Sequence, residues 1–297
     1  MDLQEFSTGL GKVPMTKGFL AQIELLKERY GAGYIHTAES LLDLFERLQL
    51  DAVKTARRYI YDYLKQLDYF LKHGEYGHSD YDEIRARIYD DERTMLETYM
   101  PGLLLSYAYT TILYEKDHLF QNAFLPGLPE GGIGAEVGFG EGFYIWEALR
   151  GRPDIKIRGF DISPHAIRFA SAVMRAAGIP EERYDLRYGN VFEGLDCASE
   201  AVDFAVLAEV IEHIPDPEAG LAEVVRILKR GGPLYLTTVI DSNHMDHISN
   251  FASPEVVEDL LQDAGMRIVG KSIYHMTDDF PGSSDRSIGL AFVALKG

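Results

Sequence analysis

Three glycines at alternate positions, Gly138, Gly140 and Gly142, follow an apolar run at Ile133–Val137 that carries one acid, Glu136. Apolar residues resume at helical spacing with Phe143, Ile145, Trp146 and Leu149, so the glycines occupy a turn between a buried strand and a helix. Glycine reaches positive φ cheaply and lets a ligand approach the backbone, while the new helix presents unpaired amides at its first turn. The spacing is G-x-G-x-G. In the dinucleotide fingerprint G-x-G-x-x-G the third glycine would fall on Phe143, which argues against NAD. Glycines also mark plain turns, so the segments downstream must decide.

Those segments alternate strand and helix. Residues 155–160 read as a second strand ending at Asp161, about twenty residues past the glycine turn. Ser163 is a candidate N-cap and Pro164 a suitable first residue for a helix carrying Ile167, Phe169, Ala170 and Val173. A third strand near Tyr184–Tyr188 leads into Gly189-Asn190-Val191-Phe192. A fourth, 202–207, runs into Ala208-Glu209-Val210-Ile211-Glu212-His213-Ile214-Pro215-Asp216-Pro217. Helical spacing returns at Leu221, Val224, Val225, Ile227 and Leu228, stops at Lys229-Arg230-Gly231-Gly232, and gives way to a strand at 234–240. Residues 268–274 and 288–295 supply two final strands.

Five motifs in this order resemble the class I S-adenosylmethionine (SAM) dependent methyltransferases over roughly residues 130–297. Glu136 with the glycines is similar to motif I of that family. The stretch from Glu209 resembles the E-V-x-E-H-V/I-x-D segment of members that act on small molecules, including the ubiquinone biosynthesis type. The resemblance implies an α/β fold, a doubly wound seven-stranded Rossmann-like sheet with an antiparallel final strand. It implies cofactor contacts from Glu136, Gly138, Gly140, Gly142, Asp161, Ile162, Asn190, Val191, Ala208 and Glu209, with Asp161 on the ribose hydroxyls. Asn190 stands where the family commonly has aspartate. Its amide oxygen can still accept from the adenine amino group, or the residue can simply build a turn.

Residues 1–128 differ in pattern. Asp51 precedes Val53, Ala56, Ile60, Leu64, Leu67 and Leu71 with Gly74 as a stop, Asp80 to Glu83 resembles a capping box, and Met100-Pro101-Gly102 punctuates the next helix. This predicts a helical cap, 1–128, joined to a SAM-binding domain, 129–297, through a linker rich in proline and glycine. The cap serves either substrate binding or a homodimer interface. Tyrosines crowd its helices at Tyr59, Tyr61, Tyr63, Tyr69, Tyr99, Tyr107, Tyr109 and Tyr114. Most are read as packing, with Tyr107 or Tyr114 as pocket candidates. The longest apolar patch, 103–114, contains Ser106, Thr110 and Thr111 and is too short to span a bilayer. One cysteine, Cys197, suits a reducing cytoplasm. With 29 basic against 47 acidic residues the formal charge is −18, which opposes a phosphate backbone and favours a small or cationic substrate over nucleic acid.

Methyl transfer needs alignment and, for many acceptors, a base. Histidines gather after the fourth and fifth strands, at the end of an open sheet where ligands collect: His213, and His244 and His247 in Asn243-His244-Met245-Asp246-His247. Tyr274-His275 follows near the end of the sixth strand. His213, His244 and His247 are candidate bases. With Asp246 or Glu212 they are also candidate ligands for a divalent Zn, Fe, Mn or Mg. A metal would suit a 2-oxo acid methylated at carbon, as in precursors of β-methyl amino acids, with Asp278-Asp279 favouring a cationic end such as guanidinium. Metal-free O- or N-methylation by a histidine base is the alternative, and a noncatalytic SAM-fold scaffold or a dinucleotide oxidoreductase are readings from other classes.

Overall fold

The computed structural model describes residues 1–73, 81–242 and 246–297. Gly74 and Asp80, expected as a helix stop and a cap, lie outside them, as does His244. The chain opens with helices α1 (Leu3–Leu10), α2 (Lys17–Tyr30), α3 (Ala32–Arg47), α4 (Ala52–His73), α5 (Tyr81–Ile84), α6 (Glu92–Thr94), α7 (Met100–Ser106) and α8 (Thr111–Leu119). Asp51 caps α4 by accepting from the Lys54 amide at 2.9 Å, as its sequence position predicts. Gly102 lets α4 and α7 pack closely, since a Cβ there would fall 2.2 Å from the Tyr59 ring. Three π-helical turns interrupt the series, at Arg85–Tyr89, Met95–Tyr99 and Phe120–Phe124.

Strand and helix then alternate: β1 (Ile133–Val137), α9 (Phe143–Gly151), β2 (Lys156–Asp161), α10 (Pro164–Ala176), β3 (Tyr184–Tyr188), β4 (Phe204–Ala208), α11 (Pro217–Ile227), β5 (Pro233–Ile240), α12 (Pro254–Asp263), β6 (Met266–His275), α13 (Met276–Asp279) and β7 (Ile288–Lys296). The sheet order is β3-β2-β1-β4-β5-β7-β6. The first five strands are parallel, with Val137 opposite Phe160 and Glu136 opposite Val206. β7 runs antiparallel to both β5 and β6. The sheet is therefore doubly wound with its order reversing at β1 and β4, the place where open α/β sheets bind ligands beyond the strand ends. The fourth strand starts later than the apolar run suggests, because Val202 only bridges Leu228.

Alternation along β1 divides the core. Ala135 and Val137 pack with Leu221, Val224, Val257 and Leu261 of α11 and α12 on one face. On the other, Phe143, Trp146 and Phe169 of α9 and α10 join Leu41, Phe45, Leu104 and Phe120 of the helical region in one continuous cluster. Helix α8 belongs to this second layer and lies directly on β6 and β7. Among the described residues no helix is long and apolar enough to cross a membrane.

Candidate active site

The glycine turn takes the shape its spacing predicts. Gly138, Gly140 and Gly142 have φ of 68°, 49° and 81°, the left-handed region where a side chain is strained. The Gly138 amide donates to the Phe160 carbonyl at 2.7 Å, tying the turn to β2. A Cβ on Gly138 would reach 2.5 Å from Val210, whereas one on Gly140 would meet only Met100 at 3.9 Å. Gly140 therefore keeps open space clear.

Asp161 ends β2 against this turn. Its two oxygens accept from the Gly140 and Ser163 amides, each at 2.8 Å, and burial raises its pKa to about 6. Both oxygens keep a second lone pair for further donors. Glu136 is buried, which lifts its carboxyl well above the usual range, and among the described residues its Oε2 has no hydrogen-bond partner. Asn190 builds an Asx turn, accepting from the Phe192 amide at 3.0 Å and donating to Glu193 at 3.1 Å, so its turn role is realised.

Beyond β4 the chain turns sharply at Glu209, whose φ is 52°. The Glu209 Oε1 accepts from Lys116 Nζ at 2.6 Å and from Thr237 Oγ1 at 2.7 Å. Lys116 is 2 % exposed and comes from α8. Its role is invisible in sequence, because a lysine at mid-helix spacing reads as a solvated residue.

The next turn gathers the acid–imidazole cluster. His213 Nδ1 lies 2.9 Å from the Asp246 carbonyl oxygen and 3.6 Å from the Asp246 carboxylate, leaving Nε2 as the other ring nitrogen. Burial opposes a charge on His213, but Asp246 and Glu212 outweigh it and raise its pKa. The His213 and His247 ring centres are 4.8 Å apart, and His247 Nδ1 contacts the Ser242 carbonyl at 3.0 Å. Glu212 is fully buried, with Oε2 accepting from Thr238 at 2.8 Å and Oε1 lacking a hydrogen-bond partner among the described residues. Ligand atoms of Glu212, His213 and His247 all fall within 4.8 Å of one another. Asp246 departs from the expected metal set. Its Oδ2 accepts instead from the hydroxyls of Tyr89, at 3.0 Å, and Tyr99. Both tyrosines close π-helical turns, a form of helix often found at functional sites.

A single cavity of about 270 Å³ joins these parts. The residues named above for cofactor contact line it, Gly142 excepted, which instead caps α9 in the left-handed conformation. His213, Asp246 and His247 line its far end. Tyr107 lines it too, stacked on Phe143 at 3.5 Å, while Tyr114 packs against Tyr30 and Tyr34 away from it. His275 is not in the wall, and Asp279 pairs with Arg29 at 2.7 Å while Asp278 is exposed. Asp285 does line the wall, a residue whose loop position carried no sequence signal.

Residues 135–236 match the family described as a methyltransferase domain. The chain is 27% identical over 194 residues to the human mitochondrial ubiquinone biosynthesis O-methyltransferase, covering 58% of this chain and 52% of that protein. It is 32% identical over 122 residues to the tRNA (guanine-N(7)-)-methyltransferase of Thermus thermophilus, covering 37% of this chain and 38% of the other. It thus spans about half the length, or less, of these curated relatives. A geranyl diphosphate methyltransferase solved with GPP and sinefungin superposes with a TM-score of 0.52 at 16% identity, covering 67% of this chain and 82% of that one, a likeness of fold. Sheet order, glycine turn and domain match together establish that the chain carries a class I SAM-dependent methyltransferase domain.

Proposed function

We propose that the protein transfers the SAM methyl group to a small molecule held between the helical layer and the sheet. The observation that carries this is the continuity of the cavity from Gly140 and Asp161 to His213. The acceptor's lone pair forms a bond to the methyl carbon as the carbon–sulfur bond breaks, its electrons staying on sulfur to leave S-adenosylhomocysteine (SAH). His213 takes a proton from the acceptor, a role supported by its orientation through Nδ1 by the Asp246 carbonyl. One relative's name places it on tRNA, but the net charge of −18 and a cavity of about 270 Å³ support a small acceptor here. Titration of SAM, SAH and NAD should show binding of the first two only. Mass spectrometry of a metabolite pool incubated with isotopically labelled SAM should then reveal one labelled product, and NAD binding without SAM binding would overturn the reading.

A metal-assisted variant has its own support in the convergence of Glu212, His213 and His247 around the buried, unpartnered Glu212 Oε1. The set is chemically apt, although 4.8 Å is wider than the roughly 3.3 Å between ligands of a tetrahedral site with bonds near 2.0 Å. These three residues would hold the ion, and it would supply Lewis acidity toward two adjacent oxygens, as in a 2-oxo acid. Chelation that abolishes turnover but spares SAM affinity supports this variant. Full turnover in protein shown metal-free by elemental analysis leaves His213 acting as base alone.

A further inference from the structure

The acceptor end of the cavity has a composition the methyl transfer itself does not explain. Phe19 stands edge-on to two rings at once, to Tyr63 at 6.2 Å and 80° and to Tyr109 at 5.8 Å and 79°. Phe19 thus stands nearly at right angles to each of the two tyrosine rings, and all three residues line the cavity. Beside them Asp285 accepts from the Tyr63 hydroxyl at 2.5 Å, from the Ser287 amide at 3.0 Å and from the Ser287 hydroxyl at 2.6 Å. Three donors hold that carboxylate in one orientation. Among the described residues Asp285 has no ion pair with a lysine or arginine, and Lys116, the one such side chain in the wall, is held by Glu209.

An aromatic recess with a fixed carboxylate attracts positive charge twice, through ring quadrupoles and through direct Coulomb attraction. A neutral apolar group would desolvate Asp285 with nothing in return, and an anion would meet Asp285 and Asp246 together. We propose that the acceptor is an organic cation, a small amine or guanidine, whose charged end lies among Phe19, Tyr63 and Tyr109 beside Asp285. This rests on the methyltransferase reading and adds the substrate class to it. It also relocates the acidic recognition that sequence had suggested for Asp278-Asp279.

Choline and 3,3-dimethylbutan-1-ol share a shape and differ by the charge, so both are titrated into protein already loaded with SAH. Choline should bind about tenfold or more tightly than the alcohol. Asp285→Asn should shrink that preference to within about threefold, and Phe19→Leu should reduce it about fivefold. SAH affinity stays at the wild-type value in both variants, and Phe19→Leu carries the test if Asp285→Asn does not fold. Equal affinity for the two probes, no binding of either, or an unchanged preference in the variants overturns this proposal alone. Failure of SAH to bind overturns the methyltransferase reading beneath it.

Discussion

The proposed ribose contact of Asp161 makes cofactor binding depend on a single proton. Burial lifts its pKa to about 6, while that contact is strongest with the carboxylate as acceptor. Below pH 6 the proton competes with SAM, so Kd should rise about tenfold per pH unit as the pH falls from 6 toward 4. The same raised pKa works in the opposite sense on the empty fold. There this group contributes stability at low pH that is lost as the pH rises through about 6. Asp161→Asn should bind SAM about 2 kcal/mol more weakly and abolish the pH dependence of Kd below 6, as read by calorimetry. Gly140→Val strains a φ of 49° and fills space otherwise open, and we expect apo stability to drop by about 1–2 kcal/mol and SAM affinity to be lost in a folded variant. Wild-type affinity there would show the loop to be a plain turn. These residues were legible in sequence because glycine spacing and an acid at a fixed offset encode backbone geometry locally. Lys116 and Asp285 were not, since their roles exist only where a helix and a loop distant in sequence meet the sheet.

Among elements, the turns after β4 and β5 carry the proposed chemistry and depend on one another. The turn at His213 is braced by the Asp246 carbonyl, and the Ile248 and Ser249 amides both donate to the Glu212 carbonyl at 3.0 Å. Asp246 and Glu212 hold the His213 pKa above the ordinary imidazole value, so activity should rise with pH as that proton leaves, along a limb above about 6.5. Asp246→Asn removes the largest of the counter-charges and lets burial pull the pKa down. The limb of the kcat profile should move to lower pH, and an unmoved limb would exclude His213 as the base. The alternation of strands and helices was legible in the patterns, and the antiparallel last strand was implied by the family resemblance. The three π-helical turns among the described residues were not legible, because a single widened turn is too short to set a period of its own.

At the scale of the whole molecule, the helical region is fastened to the sheet domain through buried polar contacts. Tyr89 and Tyr99 reach Asp246, Ser163 donates to the Tyr89 carbonyl at 2.8 Å, and Tyr235 donates to the Lys116 carbonyl at 2.6 Å. Removing both hydroxyls in Tyr89→Phe with Tyr99→Phe leaves Asp246 short of donors. It should cost about 2–4 kcal/mol in urea unfolding and speed amide exchange across 81–106, with protection partly restored by SAH. Unchanged exchange would mean the helices are held by apolar contact alone. The placement of β7 has a further consequence, for synthesis. It lies between β5 and β6 and is made after both, and Gly289 in it provides the room into which Ile112 of α8 settles. Helix α8 must therefore wait, with that apolar face uncovered, for a strand translated some 180 residues later (112 to 289). The nascent chain is thus exposed to aggregation over that interval, and the chaperone demand of α8 should end with the arrival of residues 288–296 rather than with completion of the cofactor turn.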